Sequence, residues 1–315
     1  MKNLWLLFAL MLVACDSRNP LIPKSGGRPY EVVVEDDCDS MIFRALDIDV
    51  EGLPQREPSF DVTMMTNNRI EDMTRLARNI VRVDINPKYG KAQIRYAQNM
   101  DAQPQMRISV DAPTAEALRK AMPVIGPQLR NLLNHSEMST ALNYLKAHHQ
   151  DKVRASIREM FQVEMLIPEE LTASKKGKQF VWYSNQQAQG MMNICLYTYP
   201  AKDLNTEEWI IKRDSIMKEN IPGEEEGMYM TTVRNGLSQE RIKLKDQERL
   251  IIRGLWEMKN DMMGGPLVAH AIYDSARATV IVAEAFVYAP ESKKRNKIRQ
   301  LETALYTLNT QNNGK

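Results

Sequence analysis

Three cysteines and four histidines in 315 residues leave little material for a disulfide scaffold or a zinc cage. Charge of one sign is also lacking: 42 Lys plus Arg stand against 40 acidic residues, for a formal net charge of +2. A nucleic-acid protein concentrates basic residues on one face, and the only dense basic run here is Lys293-Lys294-Arg295 with Lys297 and Arg299. That run opens a C-terminal helical pattern and reads as a solvated polar face, so no nucleic acid is expected as a partner. The sequence holds no Gly-x-Ser-x-Gly elbow, no phosphate loop ending in Gly-Lys-Ser/Thr, and no histidine pair flanking a glutamate at zinc-helix spacing. No catalytic residue, metal ligand set or cofactor is therefore assigned.

The N-terminus carries one positive charge at Lys2, an apolar stretch from Leu4 to Leu12, and Ala14 before Cys15. This is the layout of a signal peptide over residues 1–14. It falls short of the roughly 20 apolar residues of a membrane-spanning helix, and no second apolar stretch follows. Leu12-Val13-Ala14-Cys15 matches a lipobox: the peptidase pocket takes small or apolar residues, and the Cys15 thiol takes the diacylglyceryl group. The expectation is a lipid-anchored cell-envelope protein. Residues 15–28, with Pro20, Pro23, Gly26 and Gly27, read as a flexible tether.

About 300 remaining residues suggest one large or two moderate domains. Strand signals fall at Tyr30–Glu35, Ser59–Met65, Asn79–Ile85, Ala92–Ala97 and Gln105–Val110, with a short helix at Met41–Leu46 capped by Asp37 or Asp39. A polar helical piece is expected around Arg69–Leu76. A helix starts near Pro113, Pro123, Gly126 and Pro127 interrupt it, and helix resumes from about Ser139 to Met160. Strands return at Val163–Ile167, Phe180–Ser184, Met191–Tyr199, Gly227–Val233, Arg249–Met258, Pro266–Tyr273 and Thr279–Tyr288, with helices at Thr206–Asn220 and about Glu291–Leu308. Both halves end in three strands and a helix, and Arg78-Asn79-Ile80-Val81-Arg82 parallels Arg249-Leu250-Ile251-Ile252-Arg253. The expected fold is α+β, an internal duplication with an antiparallel sheet packed against helices in each half. Its parts are an N-terminal half at 29–135, a helical connector at 136–161 and a C-terminal half at 162–315.

Leu53-Pro54-Gln55-Arg56-Glu57-Pro58, Arg78-Asn79-Ile80, Phe180-Val181-Trp182, and Arg253-Gly254-Leu255-Trp256-Glu257-Met258 leading to Met263-Gly264-Gly265-Pro266 resemble a lipoprotein family of the Bacteroidetes known only as a domain of unknown function. The resemblance runs over essentially the whole mature chain. It implies a Gram-negative envelope and brings no activity. In that group an acidic run after the lipidated cysteine accompanies surface export; Asp16-Ser17-Arg18-Asn19 lacks one, which implies an outer-membrane protein facing the periplasm. The group also glycosylates short Asp-Ser/Thr-apolar motifs, which Ser40, Ser215 and Ser275 match.

Two segments stand out as possible ligand or partner sites. Trp256 and Glu257, with the turn to Gly264, Gly265 and Pro266, allow close backbone approach by a ligand or another strand, a hairpin turn being the plainer reading. Gln55, Arg56 and Glu57 lie in an extended segment, because residues before proline avoid the helical region; a rigid lead-in to a strand is the plainer reading there. His135 and His270 read as isolated structural histidines, and adjacent His148-His149 diverge by about 100° on a helix and cannot share a ligand face. Asp36, Asp37 and Asp39 suit helix capping better than calcium, whose Asp-x-Asp-x-Asp-Gly loop is missing. Twenty methionines, without a dense Met-x-x-Met cluster, suit core filling better than copper(I). Cys38 and Cys195 are free to pair as a disulfide in an oxidising compartment, but a buried free thiol is equally natural for Cys195 in its apolar strand, and two unpaired thiols are the plainer reading. The function these features favour is a non-catalytic binding or assembly factor for an envelope protein, glycan or lipid; the rival is an envelope hydrolase using dispersed carboxylates such as Asp84, Glu257 or Glu284.

Overall fold

The computed structural model describes residues 22–66, 74–187, 190–244 and 246–310. The signal peptide, Cys15 and the first part of the tether lie outside the described residues, as does most of the expected helical piece at 69–76, whose Thr74–Leu76 forms a 3-10 turn. The N-terminal half contains strands β1 (Glu31–Glu35), β2 (Asp61–Met65), β3 (Asn79–Ile85), β4 (Gln93–Gln98) and β5 (Met106–Ala112), with helices α1 (Met41–Leu46) and α2 (Ala115–Ala147). Side chains alternate across a strand, and Val32, Val34, Val81, Val83, Ile108 and Val110 bury one sheet face against Ile42, Leu46, Leu118 and Leu129 of the two helices. Asp37 starts α1, its carboxylate accepting from the backbone N–H of Ile42 at 3.0 Å and Phe43 at 2.9 Å.

The order of this sheet is β2-β1-β3-β5-β4. β1 pairs in parallel with both β2 and β3, and β3 with β5; only β4 and β5 are antiparallel. The expected antiparallel sheet is thus corrected to a mixed one. Parallel pairing needs a crossover of a dozen or more residues: 36–60, containing α1, joins β1 to β2, 36–78 joins β1 to β3 by way of β2, and 86–105, containing β4, joins β3 to β5. A second correction concerns α2, which runs unbroken through Pro123 and Pro127. Both prolines are exposed and four residues apart, hence on one solvent-facing stripe, where water can satisfy the carbonyls they leave unbonded. The helix ends instead at His148, so the expected connector at 136–161 holds the end of α2 and the whole of the next helix.

The C-terminal half contains α3 (Asp151–Phe161), β6 (Val163–Glu164), β7 (Ala173–Gly177), β8 (Phe180–Ser184), β9 (Met191–Pro200), α4 (Thr206–Asn220), β10 (Met230–Leu244), β11 (Gln247–Met258), β12 (Gly264–Asp274), β13 (Thr279–Tyr288), α5 (Arg295–Leu305) and β14 (Asn309–Thr310). Seven strands form a sheet of order β10-β11-β12-β13-β9-β8-β7, antiparallel throughout, and β14 pairs with β6. One face, with Tyr197, Ile252, Ala269 and Val282, packs against Trp209 and Met217 of α4. The other, with Ile194, Ile251, Val268 and Ala283, packs against Phe161 of α3 and Leu301 and Leu305 of α5. β7 and the second part of β10 were not legible in sequence. They lie at the two ends of the strand order, and edge strands carry charge rather than apolar alternation. The protein is therefore α+β, each half a sheet against helices. The strand orders differ, so the two halves are alike in architecture rather than in topology. Cys38 and Cys195 are free thiols, the latter fully buried.

The halves are joined through α5. Glu57 is buried, and its carboxylate accepts from the backbone N–H of Lys294 at 2.7 Å and of Arg295 at 2.9 Å. Arg295 reaches Asp61 at 2.6 Å, Lys293 reaches the same carboxylate at 2.9 Å, and Arg299 donates to the Ser59 carbonyl while stacking 4.3 Å above the Tyr30 ring. The basic run expected to be a solvated face is thus partly buried, Lys294 at 4% and Arg295 at 1% exposure. Cations at a helix N-terminus oppose the helix dipole, and the acids of the N-terminal half compensate them. Glu57→Ala strands two buried backbone N–H groups at the start of α5, and is expected to lower unfolding free energy by about 2 kcal/mol. Arg56, exposed and paired with Asp47 and Asp49, should change stability by less than about 0.5 kcal/mol as Arg56→Ala. Urea unfolding of both variants is the check; equal losses would contradict the assignment.

Candidate functional site

Where the halves meet, a cleft of about 380 Å³ opens, within the size range of small-ligand sites. The N-terminal half contributes Tyr30, the 49–53 segment, and Asn134 and Met138 of α2. The C-terminal half contributes Arg253 of β11, Pro266 and Val268 of β12, and Arg299, Glu302 and Tyr306 at α5. The seam is tight because Gly52, at φ +73, lies over β11: a Cβ there would sit 3.1 Å from the backbone nitrogen of Gly254.

A buried polar cluster forms the cleft's C-terminal wall. Odd-numbered β11 residues face α5, which puts Arg249 and Arg253 beside His270 of β12, with which Ile251 is in register. Arg249 is fully buried and donates to the carbonyls of Leu305 and Leu308, closing the C-terminal end of α5. It also approaches His270 Nδ1 at 3.2 Å. With Nδ1 accepting, the proton of the neutral imidazole is assigned to Nε2, which points at Glu302 Oε1 from 3.6 Å. Glu302 is paired with Arg253 at 2.5 Å, and Arg253 in turn with Glu240 at 3.5 Å. The Tyr306 ring stands edge-on to His270 at 4.6 Å.

Burial drives the His270 imidazole down to about 4, more than the neighbouring Glu302 carboxylate raises it. Burial pushes the other way on Glu302, but the His270 contact and the Arg253 charge outweigh it and hold this carboxylate at about 2. Desolvation also raises the phenols of Tyr30 and Tyr306 to about 12. Such shifts gather where charge is held in a partly dry site. At neutral pH the wall therefore presents an ionised carboxylate and neutral phenols, with the neutral His270 imidazole fully buried behind Glu302.

The sequence-picked residues divide. Pro266 lines the cleft, and Glu57 caps the helix that forms one wall. Trp256 is buried on the α4 side, its indole donating to the Val287 carbonyl at 3.3 Å. Gly265 lets that happen, since a Cβ would fall 2.0 Å from that carbonyl oxygen. Gly264 pairs with Glu257 across the β11–β12 hairpin. Glu257, Gln55 and Arg56 are exposed away from the cleft. The hairpin and the rigid lead-in are thus what these segments build. Asp84, Glu257 and Glu284 are not brought together: Asp84 accepts from the Tyr89 hydroxyl, Glu257 is exposed, and Glu284 is fully buried. Glu284 lies against α4, bonded to Arg213 at 2.7 Å and to the Tyr197 hydroxyl at 2.9 Å. His270, Glu302, Tyr306, Tyr30 and Asn134 were missed as site residues. The one available signal was the Arg-x-x-x-Arg spacing of 249 and 253 on a strand otherwise apolar. Ser40, Ser215 and Ser275 are exposed. No group of three or more His, Cys, Asp or Glu suited to a metal ion occurs among the described residues, and no helix among them is long and apolar enough to cross a membrane.

Fold and cleft together define a class: two α+β halves tied through one C-terminal helix, with a polar cavity at the seam. The chain belongs to the family described as Domain of unknown function (DUF4837), whose model matches residues 150–307, half of the 315. A second model, Domain of unknown function (DUF8532), matches residues 25–146. No curated protein matches. Among solved structures, the chain is similar to the Saccharomyces cerevisiae Ran-binding protein Mog1p at 10% identity and a TM-score of 0.32, over 47% of this chain and 90% of that one. A Bacteroides thetaiotaomicron protein is similar at 10% identity and a TM-score of 0.26, over 49% of this chain and 47% of its own.

Acid should weaken the fold through this cluster. The folded pKa of His270 lies below its ordinary 6.5, so the unfolded chain binds the extra proton. Stability is full above about pH 6.5 and falls as pH drops towards 4, by roughly 3 kcal/mol for a shift of this size. Glu302, lowered from 4.5 to about 2, adds a further loss below pH 4.5. His270→Gln is expected to flatten the pH 4 to 6.5 limb in denaturant titrations at fixed ionic strength; an unchanged slope would acquit His270.

Proposed function

We propose that this chain is a lipid-anchored envelope protein, held through Cys15 at the outer membrane on its periplasmic side, that binds a partner molecule in the cleft between its halves without transforming it. The observation that supports this reading is the convergence at the cleft. Gly52 and Leu53, beside the Leu53–Pro58 motif, meet Arg253 and Pro266 of the second motif there, although some 200 residues separate them in sequence. The wall between them presents the ionised carboxylate of Glu302, backed by the buried His270, a contact group rather than a general base, because Glu302 at about 2 is too weak a base for neutral pH. The partner is an envelope protein, a glycan or a lipid; the near-balanced charge speaks against nucleic acid. Ser40, Ser215 and Ser275 are proposed as O-glycosylation positions.

Two measurements test the parts separately. In native cells labelled with palmitate, Cys15→Ser is expected to lose both the label and membrane partitioning; a labelled variant would refute the anchor. Photo-crosslinking from position 306, compared with position 257, followed by mass spectrometry of the captured material, is expected to trap a partner only at 306. Capture at 257 alone would move the binding site off the cleft.

A further inference from the structure

The geometry points to a second ligand site, beyond the cleft described above, that takes an amphipathic anion: an apolar body carrying a carboxylate or phosphate head. A cavity of about 550 Å³ opens between α2 and α5, with segment 24–30 at one end, within the size range of small-molecule sites. Ala141, Tyr144 and His148 stand at helical spacing on α2, so one stripe of that helix faces the cavity. The Tyr144 ring stacks on that of His148 at 4.0 Å, and Tyr144 is 56% exposed, which gives the cavity a flat aromatic wall open to a ligand. Pro29 and Pro104 line it as well, and proline has no backbone N–H to offer. Water against such a surface is displaced favourably by an apolar body.

Charge selects the head. The walls hold four cations, Lys24, Arg28, Arg78 and Lys297, against two carboxylates, Glu137 and Glu170. Arg78 is committed to Glu137 at 2.7 Å and Arg28 to Glu31 at 2.5 Å, while Glu170 accepts from Gln300 at 2.7 Å. The side chains of Lys24 and Lys297 make no ion pair or hydrogen bond among the described residues. An apolar body laid along the wall strips water from any ammonium group it covers, and a charge left dry and unpaired is costly. An anionic head supplies the missing partner, whereas a cationic head would add like charge beside two unpaired lysines. The cleft at Arg253 has the opposite balance, with Asp49, Glu51, Glu240 and Glu302 against Arg253 and Arg299. α5 lines both cavities, and an anion suited to the one at Lys24 is turned away from the other.

The test uses the full chain carrying Cys15→Ser, so that neither an acyl chain of its own nor detergent competes. Dodecanoate, dodecyl phosphate, dodecyl maltoside and dodecyltrimethylammonium, four heads on one tail, are titrated calorimetrically below their micellar concentrations. At least one of the two anions is expected to bind, and whichever binds fixes the head; the maltoside should bind more weakly and the ammonium not at all. Shortening the tail should weaken the anion about fourfold per methylene removed, and acetate and inorganic phosphate, heads without a body, should show no binding. The double variant Lys24→Gln, Lys297→Gln is expected to lower affinity for the anion on the order of fivefold while leaving the unfolding midpoint and the maltoside affinity unchanged. Ala141→Trp, which fills the cavity from α2, is expected to abolish anion binding. Maltoside or ammonium binding as tightly as the anions, no binding of either anion, or full anion affinity in either variant overturns the inference.

Discussion

The first turn of α5 carries Lys294, Arg295 and Lys297, where the helix dipole already places partial positive charge and exposed N–H groups. Such a turn cannot be buried unless an anion meets it. Glu57 is that anion, brought from the other half of the chain by a segment that prolines at 54 and 58 hold extended. Asp61, at the start of β2, takes the remaining charge of Lys293 and Arg295. At its other end α5 is closed by Arg249 from the sheet beneath. One helix is thus fastened to the C-terminal sheet along its apolar stripe and to the N-terminal half at its tip. The cleft is the space left beside that junction.

The C-terminal sheet carries buried charge on both faces. On the α4 side Arg213 and Glu284 form a fully buried pair whose partners are completed by Tyr197 and Thr232. On the α5 side Arg249, His270, Arg253 and Glu302 form a chain of contacts that reaches the cleft. Buried pairs repay their desolvation only with complete hydrogen bonding. Both clusters therefore act as registration points, each fixing how one helix sits on the strands. They differ in accessibility: the first is sealed, and the second ends in Glu302 at a cavity wall. That difference makes one cluster structural and the other a candidate for recognition.

Pattern in the sequence located nearly every buried element, including Thr206–Asn220 of α4 to the residue, because a core-facing helix or strand must show its period. Pattern failed where burial does not dictate composition. β7 and the outer part of β10 are edge strands with charged faces; Pro123 and Pro127 lie on the wet side of α2, where helix tolerates them. It failed also where partners matter more than periods. His270 looked isolated because Arg249 and Glu302 are distant in sequence, and the α5 basic run looked solvated because Glu57 and Asp61 come from the other half.

What the sequence by itself determined is most of the elements, the α+β class, and the two distinctive segments Leu53–Pro58 and Arg253–Pro266. These follow from local rules: proline restricts its neighbours, glycine admits close backbone approach, and alternation marks a half-buried strand. Only the tertiary structure decided which strands pair in parallel, that Trp256 and Gly265 serve a hairpin, that Glu57 serves a helix terminus, and that the cleft draws on Asn134, Glu302 and two tyrosines with His270 buried behind them. Pairing and charge compensation are properties of groups brought together across the chain, and no window of sequence contains both members of such a pair.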